Sequence, residues 1–158
     1  MNKSLQRVLS CHVYQGNFVL SSGKRSNWYV DVKAALTDPY VAYTIHCELH
    51  NRFPIAYLIA SGYGGYGIAV ATGESCYVVR GKGQPIGQKP PLGSLVILID
   101  DVYTTGKTFR SLEDLAAING WSVVGRLVIV NRADQLPDNI VALLSFKRGV
   151  WGPGVNLA

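Results

Sequence analysis

Asp100 and Asp101 stand together at the end of an apolar run and before a turn rich in hydroxyls and glycine, in Leu95-Val96-Ile97-Leu98-Ile99-Asp100-Asp101-Val102-Tyr103-Thr104-Thr105-Gly106-Lys107-Thr108. Such a buried strand delivers two carboxylates to the edge of an α/β sheet, where these folds bind ligands. Paired acids suit the hydroxyls of a ribose. A Thr/Gly turn opening a helix suits a phosphate, which backbone N–H groups at the helix N-terminus can hold. Gly106-Lys107-Thr108 looks like the end of a Walker loop, but that motif needs a glycine where Asp101 stands, which excludes it. Taken alone, the segment also reads as a solvated acidic turn.

Three other segments carry candidate chemistry. Phe18-Val19-Leu20-Ser21-Ser22-Gly23-Lys24-Arg25-Ser26-Asn27-Trp28-Tyr29-Val30-Asp31 reads locally as a polar hairpin closed by Gly23, with Trp28 and Tyr29 as core or edge aromatics. Ser61-Gly62-Tyr63-Gly64-Gly65-Tyr66-Gly67 follows an apolar strand, and its backbone could approach a diphosphate without side chains in the way; a flexible turn is the alternative. Arg132 follows the strand Leu127 to Val130 and, taken alone, reads as a solvated strand-end charge, although a planar two-donor guanidinium can also fit a carboxylate.

The elements that must position these residues can be read from apolar patterning and stop signals. A short helix is expected from Ser4 to about His12, and two short strands between Gln15 and Val32. Asp38-Pro39 is a strong helix start, with Asp as N-cap and Pro in the first turn, and Pro54 stops that helix near Arg52. Ile55–Ala60 reads as a buried strand, followed by the glycine-rich loop and a very short helix to about Thr72. Cys76–Arg80 is a strand, and Gly81–Ser94, with four Gly and three Pro, is an irregular loop. The strand Leu95–Ile99 leads to a helix from about Lys107 to Asn119, with Phe109, Leu112, Leu115 and Ala116 on one face and Gly120 at its end. Val123–Val130 and Ile140–Ser145 are further strands. Strand–helix alternation with continuous apolar strands predicts a mostly parallel α/β sheet flanked by helices.

At 158 residues the chain fits one domain with a real core. No segment approaches the ~20 apolar residues that span a membrane, and Met1–Arg7 has charge without an apolar stretch behind it, so neither membrane insertion nor a signal peptide is expected. Cys11, Cys47 and Cys76 are widely spaced and odd in number, which points to reduced thiols and a cytoplasmic location. The net charge of +5 is scattered through loops, with no basic helix or aromatic RNA-binding signature; it suits a small polyanion better than nucleic acid, and from charge alone reads equally as an ordinary mildly basic surface.

The segment 95–108 resembles the phosphoribosyl-diphosphate (PRPP) signature of type I phosphoribosyltransferases: apolar strand, two acids, two variable residues, then Thr-Thr-Gly-x-Thr. Residues 18–29 resemble the F-x-L-x-S-G-x-x-S-x-x-Y segment of orotate phosphoribosyltransferases, and the pairing of the two segments selects that family. The resemblance covers roughly residues 14 to 135. It implies a single type I phosphoribosyltransferase domain over 1–158 with a small N-terminal hood at about 1–35. The implied reaction is transfer of ribose 5-phosphate from PRPP to orotate, in pyrimidine (UMP) biosynthesis, by a homodimer.

The resemblance also implies roles. Asp100 and Asp101 would hold the ribose. Val102, Tyr103, Thr104, Thr105, Gly106, Lys107 and Thr108 would surround the 5′-phosphate. Ser21 is a PRPP contact, Gly64 and Gly65 receive the diphosphate, and Arg80 assists. Tyr29, Val30 and Thr104 lie against the base, and Arg132 binds the orotate carboxylate. Mg²⁺ would arrive on PRPP, with Asp100 or Asp101 as its protein ligand and no protein cage. Two departures stand out. The family's loop begins Arg-Lys-x-x-Lys-x-His-Gly, whereas here Arg80-Gly81-Lys82-Gly83-Gln84-Pro85-Ile86-Gly87 keeps only Arg80 and Gly87; Lys82 or Lys89 is the candidate replacement cation. The helix after the glycine-rich loop is expected to be cut to about two turns, as in a stripped-down member. The alternatives are a phosphoribosyltransferase for another base and a non-catalytic PRPP-binding homologue.

Overall fold

Both acids lie inside a strand rather than beyond its end. In the computed structural model, which describes residues 3–20, 23–54, 56–81 and 83–153, β6 spans Leu95–Tyr103 and is the middle strand of a seven-stranded sheet. It outruns the expected end at Ile99 because its parallel neighbour β7 (Ser122–Asn131) keeps pairing with it, Asp100 beside Val128 and Tyr103 beside Asn131. Arg132 N then donates to Tyr103 O at 2.8 Å.

The remaining strands of the sheet are β3 (Tyr57–Ser61), β4 (Cys76–Arg80), β5 (Gly83–Ile86), β8 (Val141–Lys147) and β9 (Val150–Pro153). Their order is β5-β4-β3-β6-β7-β8-β9, with β4, β3, β6, β7 and β8 parallel and antiparallel strands at both edges. The helices are α1 (Lys3–Ser10), α2 (Val32–Ala35), α3 (Pro39–Arg52), α4 (Gly62–Thr72) and α5 (Lys107–Ile118). Burial on both sides explains the unbroken apolar strands. Ile97 and Ile99 share one core with Ile45 of α3 and Ile68 of α4, while Val96 and Leu98 share the other with Phe109, Leu112 and Ala116 of α5. The expected start of α3 is observed, with Asp38 Oδ1 accepting from Tyr40 N at 2.8 Å.

A separate antiparallel hairpin, β1 (Val13–Val19) with β2 (Arg25–Val30), precedes the sheet, and Leu5, Leu9, Val30 and Val32 anchor this N-terminal part in the first core. Four elements depart from the sequence expectation. The glycine run is the first half of α4, an eleven-residue helix rather than a loop with a two-turn remnant. β5 folds back on β4 inside the stretch expected to be irregular. The four-residue α2 was not anticipated, although Asp31 caps it by accepting from Ala34 N at 3.1 Å. Nor was β9: Arg148 and Gly149, both at positive φ, join Lys147 to Val150 in a two-residue hairpin. Among the described residues no helix is long and apolar enough to cross a membrane.

Candidate active site

From β3 the chain passes through α4 to β4 on one side; from β6 it passes through α5 to β7 and β8 on the other. The carboxyl ends of β3 and β6 therefore flank the point where the strand order reverses, and a crevice opens there. A cavity of about 640 Å³ occupies it. Ser61, Tyr63 and Gly64 border it from the β3 side, residues 100 to 109 from the β6 side, and Val19, Leu20, Tyr29, Val30 and Lys33 from the β1–β2 hairpin and α2.

Asp100 is 7 % exposed. Burial, then the neighbouring Asp101 charge, pushes its carboxyl up to about 8, against the opposing pull of a hydrogen bond from the Thr108 side chain. Asp100 Oδ1 accepts from Asp101 N at 3.0 Å, and Asp101 Oδ1 accepts from Val102 N at 2.9 Å. The other Asp101 oxygen lies 3.5 Å from Lys33 Nζ. Lys33 also donates to the Tyr29 hydroxyl at 3.3 Å. Burial disfavours its charge, but Asp101, Tyr29 and Asp31 outweigh that and raise its pKa. Sequence reading missed Lys33, because its spacing from Tyr29 has meaning only once α2 turns it back toward the cleft.

The Thr/Gly turn is built around Gly106, whose φ of +72° favours glycine. A Cβ there would also sit 2.6 Å from the Tyr103 hydroxyl. Gly106 is the N-cap of α5 and provides no side-chain cap, so the first-turn N–H groups are left for another acceptor. Arg110 Nη1 braces the turn by donating to Thr105 O at 3.0 Å. Thr104, Thr105, Lys107 and Thr108 all border the cavity.

The glycines of α4 serve close packing. A Cβ on Gly64 would lie 2.4 Å from the Asp101 carboxylate, and one on Gly65 would lie 2.3 Å from Ala60 Cβ. Gly64 faces the cavity; Gly65 is not among its lining residues and packs on β3 instead.

On the opposite wall, Arg132 Nη2 donates to Ser26 Oγ at 2.8 Å, and Ser26 Oγ in turn donates to Trp28 O at 2.7 Å. Burial lowers the Arg132 pKa, while its guanidinium reaches the cavity beside Tyr29 and Val30. Ser21 and Lys82 lie outside the described residues. Arg80 is not in the cavity wall; its Nε donates to Gln84 O at 3.2 Å within the β4–β5 hairpin. Lys89 is exposed and also apart from the wall.

The mostly parallel sheet with flanking helices is the type I phosphoribosyltransferase fold. Its solved examples include the orotate phosphoribosyltransferase of Aeropyrum pernix, 31 % identical, with a TM-score of 0.61 over 81 % of each chain. The orotate phosphoribosyltransferase of Picrophilus torridus is 31 % identical over 82 % of this chain and 87 % of its own. That of Pyrococcus horikoshii is 33 % identical over 79 % and 75 %. No family model matches the chain. On these likenesses the chain belongs to the orotate phosphoribosyltransferase family.

Proposed function

We propose that this protein transfers the 5-phosphoribosyl group of PRPP to N1 of orotate, giving orotidine 5′-monophosphate and diphosphate in pyrimidine biosynthesis. One observation carries the reading: a single cavity joins the acid pair and uncapped helix turn to Arg132, held by Ser26 beside Tyr29. The first half suits a ribose phosphate and the second a flat base bearing a carboxylate.

The C1–O bond to diphosphate breaks with its electron pair leaving on oxygen, and the orotate N1 lone pair forms the new bond to C1. Positive charge grows on the ribose and negative charge on the diphosphate, so positioning and electrostatics carry the catalysis. Asp101 and Asp100 hold the ribose hydroxyls, with Asp101 beside the developing cation. Thr104 to Thr108 hold the 5′-phosphate, and Gly64 presents backbone to the diphosphate. Lys33 balances Asp101 and ties α2 to the cleft floor. Val30 and Tyr29 lie against the base.

Two carboxylates are an oxygen donor set that fits Mg²⁺, and among the described residues no third His, Cys, Asp or Glu side chain joins them; such an ion would reach the site on phosphates. When bound it neutralises charge growing on the diphosphate. We read the chain as one phosphoribosyltransferase domain, with residues to about 35 as a hood, working in the cytoplasm as a homodimer. Arg80 ends β4 and Lys89 follows the β4–β5 hairpin; with Lys82 they are the cations we assign to a partner's cavity. The deciding experiment follows PRPP consumption with orotate, other pyrimidines and purines, using Asp101→Asn as control. Turnover on orotate alone supports the reading. PRPP binding by calorimetry without turnover on any base would replace it with a binding role.

A further inference from the structure

Between α3 and the end of α4, away from the cleft, three side chains converge. His46 and His50 are one turn apart on α3, so their rings share a face, with centroids 4.3 Å apart. Glu74 follows the left-handed Gly73 that ends α4 and reaches both rings. Its Oε1 lies 2.7 Å from His50 Nε2 and 3.0 Å from His46 Nδ1. His50 is hydrogen-bonded to this oxygen. His46 Nδ1, despite its distance, is misaligned for a hydrogen bond, and it is buried without a hydrogen-bond partner. The three ligand atoms lie within 4.8 Å of one another.

A buried ring nitrogen without a hydrogen bond, facing a carboxylate shared with a second imidazole, leaves an electron-pair donor unused in a cluster of three ligand-bearing side chains. We propose that His46, His50 and Glu74 form a site for a late first-row divalent cation, with Zn²⁺ the best fit and water completing the coordination. Imidazole selects for zinc, copper and nickel, whereas Mg²⁺ and Ca²⁺ prefer all-oxygen sets. Bonds of about 2.0–2.2 Å separate tetrahedral ligand atoms by roughly 3.4 Å. The N···O separations of 2.7 and 3.0 Å widen to that spacing as Glu74 shifts outward, and the two ring nitrogens, within 4.8 Å of each other, close to it by rotation of the half-exposed histidine side chains. The histidine side chains are 41 % and 47 % exposed, which leaves solvent access to the set. None of the three borders the cavity between β3 and β6, so the site is separate from the proposed PRPP cleft and its Mg²⁺. The ion would cross-link α3 to the connection between α4 and β4, stabilising the fold by mass action.

The test uses the full chain, stripped by a chelator and titrated with Zn²⁺ by calorimetry. One equivalent should bind and raise Tm, while Mg²⁺ at the same concentration should do neither. His50→Ala, His50→Gln and Glu74→Gln should weaken binding by at least about 10-fold, the low end of what even outer partners of a metal ligand cost. His12→Ala, removing the remaining histidine, should leave it unchanged. In imidazole ¹H–¹⁵N spectra the rings of His46 and His50 should shift on adding Zn²⁺, and that of His12 should not. Circular dichroism of the stripped variants separates a lost ligand from a lost fold. No binding, binding indifferent to these variants, or binding abolished only by Cys11→Ser, Cys47→Ser or Cys76→Ser would overturn the proposal.

Discussion

Arg132 Nη2 and Ser26 Oγ are 2.8 Å apart and 106 positions apart in the chain. This bond joins β2 to the end of β7, and Arg132 also borders the cavity.

Arg132→Lys keeps the charge but removes the planar fork. Its KM for orotate should rise about 10- to 100-fold, in line with ~1.5–3 kcal/mol for a charge-assisted hydrogen bond, with a smaller change in kcat. Ser26→Ala should show a weaker form of the same pattern. Steady-state kinetics with orotate varied at saturating PRPP checks this; an effect confined to the KM for PRPP would remove Arg132 from the base pocket.

The acid pair and the Thr/Gly turn are legible as a local pattern of residue types at a sheet edge, whereas Arg132 and the hairpin aromatics, which alone read as structural, are picked out only by the family resemblance. Lys33 is legible in neither way, because its role depends on a four-residue helix too short to show periodicity. The α4 glycines read as loop in sequence because glycine disfavours helix interiors. Burial against Asp101 and Ala60 overrides that preference. The strand β9 was hidden by an Arg148-Gly149 turn in which arginine occupies a positive-φ position usually held by Asn, Asp or Gly.

Asp101→Asn removes the carboxylate that faces both Lys33 and the cavity. Turnover should fall by roughly 10²–10³-fold, comparable to losing one preorganised electrostatic partner of a transition state. Lys33→Met should lower kcat/KM as well, yet shift thermal stability by under about 1 kcal/mol, because a half-exposed ion pair contributes little. Thermal melts beside single-turnover rates distinguish the two effects.

Gly64→Ala and Gly65→Ala differ by one methyl group each and should fail differently. At Gly64 the methyl meets the Asp101 carboxylate, so activity should collapse with modest loss of stability. At Gly65 it meets Ala60 on β3, so unfolding should cost about 1–3 kcal/mol less, the usual range for overpacking. Denaturant unfolding paired with turnover tests the contrast; equal losses in both variants would contradict it.

Asp100 should make the fold less stable as pH rises. The ordinary carboxyl value is 3.8, and in the folded protein it is about 8. Between these values the folded state binds more protons than the unfolded chain, so stability declines with pH. The contribution is fully present below about 3.8 and lost once pH passes about 8, a total on the order of a few kcal/mol. Asp100→Asn mimics the protonated form. Its Tm gain over wild type should be larger at pH 8 than at pH 5, and parallel Tm–pH curves would refute the assignment.

Gly106 leaves α5 without a side chain to close its first turn. In the proposed complex the 5′-phosphate of the substrate takes that place, so the helix is finished by what the protein binds rather than by its own sequence. Opening of the first turn and ligand departure then become one event. Amide hydrogen exchange at Lys107, Thr108 and Phe109 should slow on adding PRPP, while exchange in the buried middle of β6 stays unchanged.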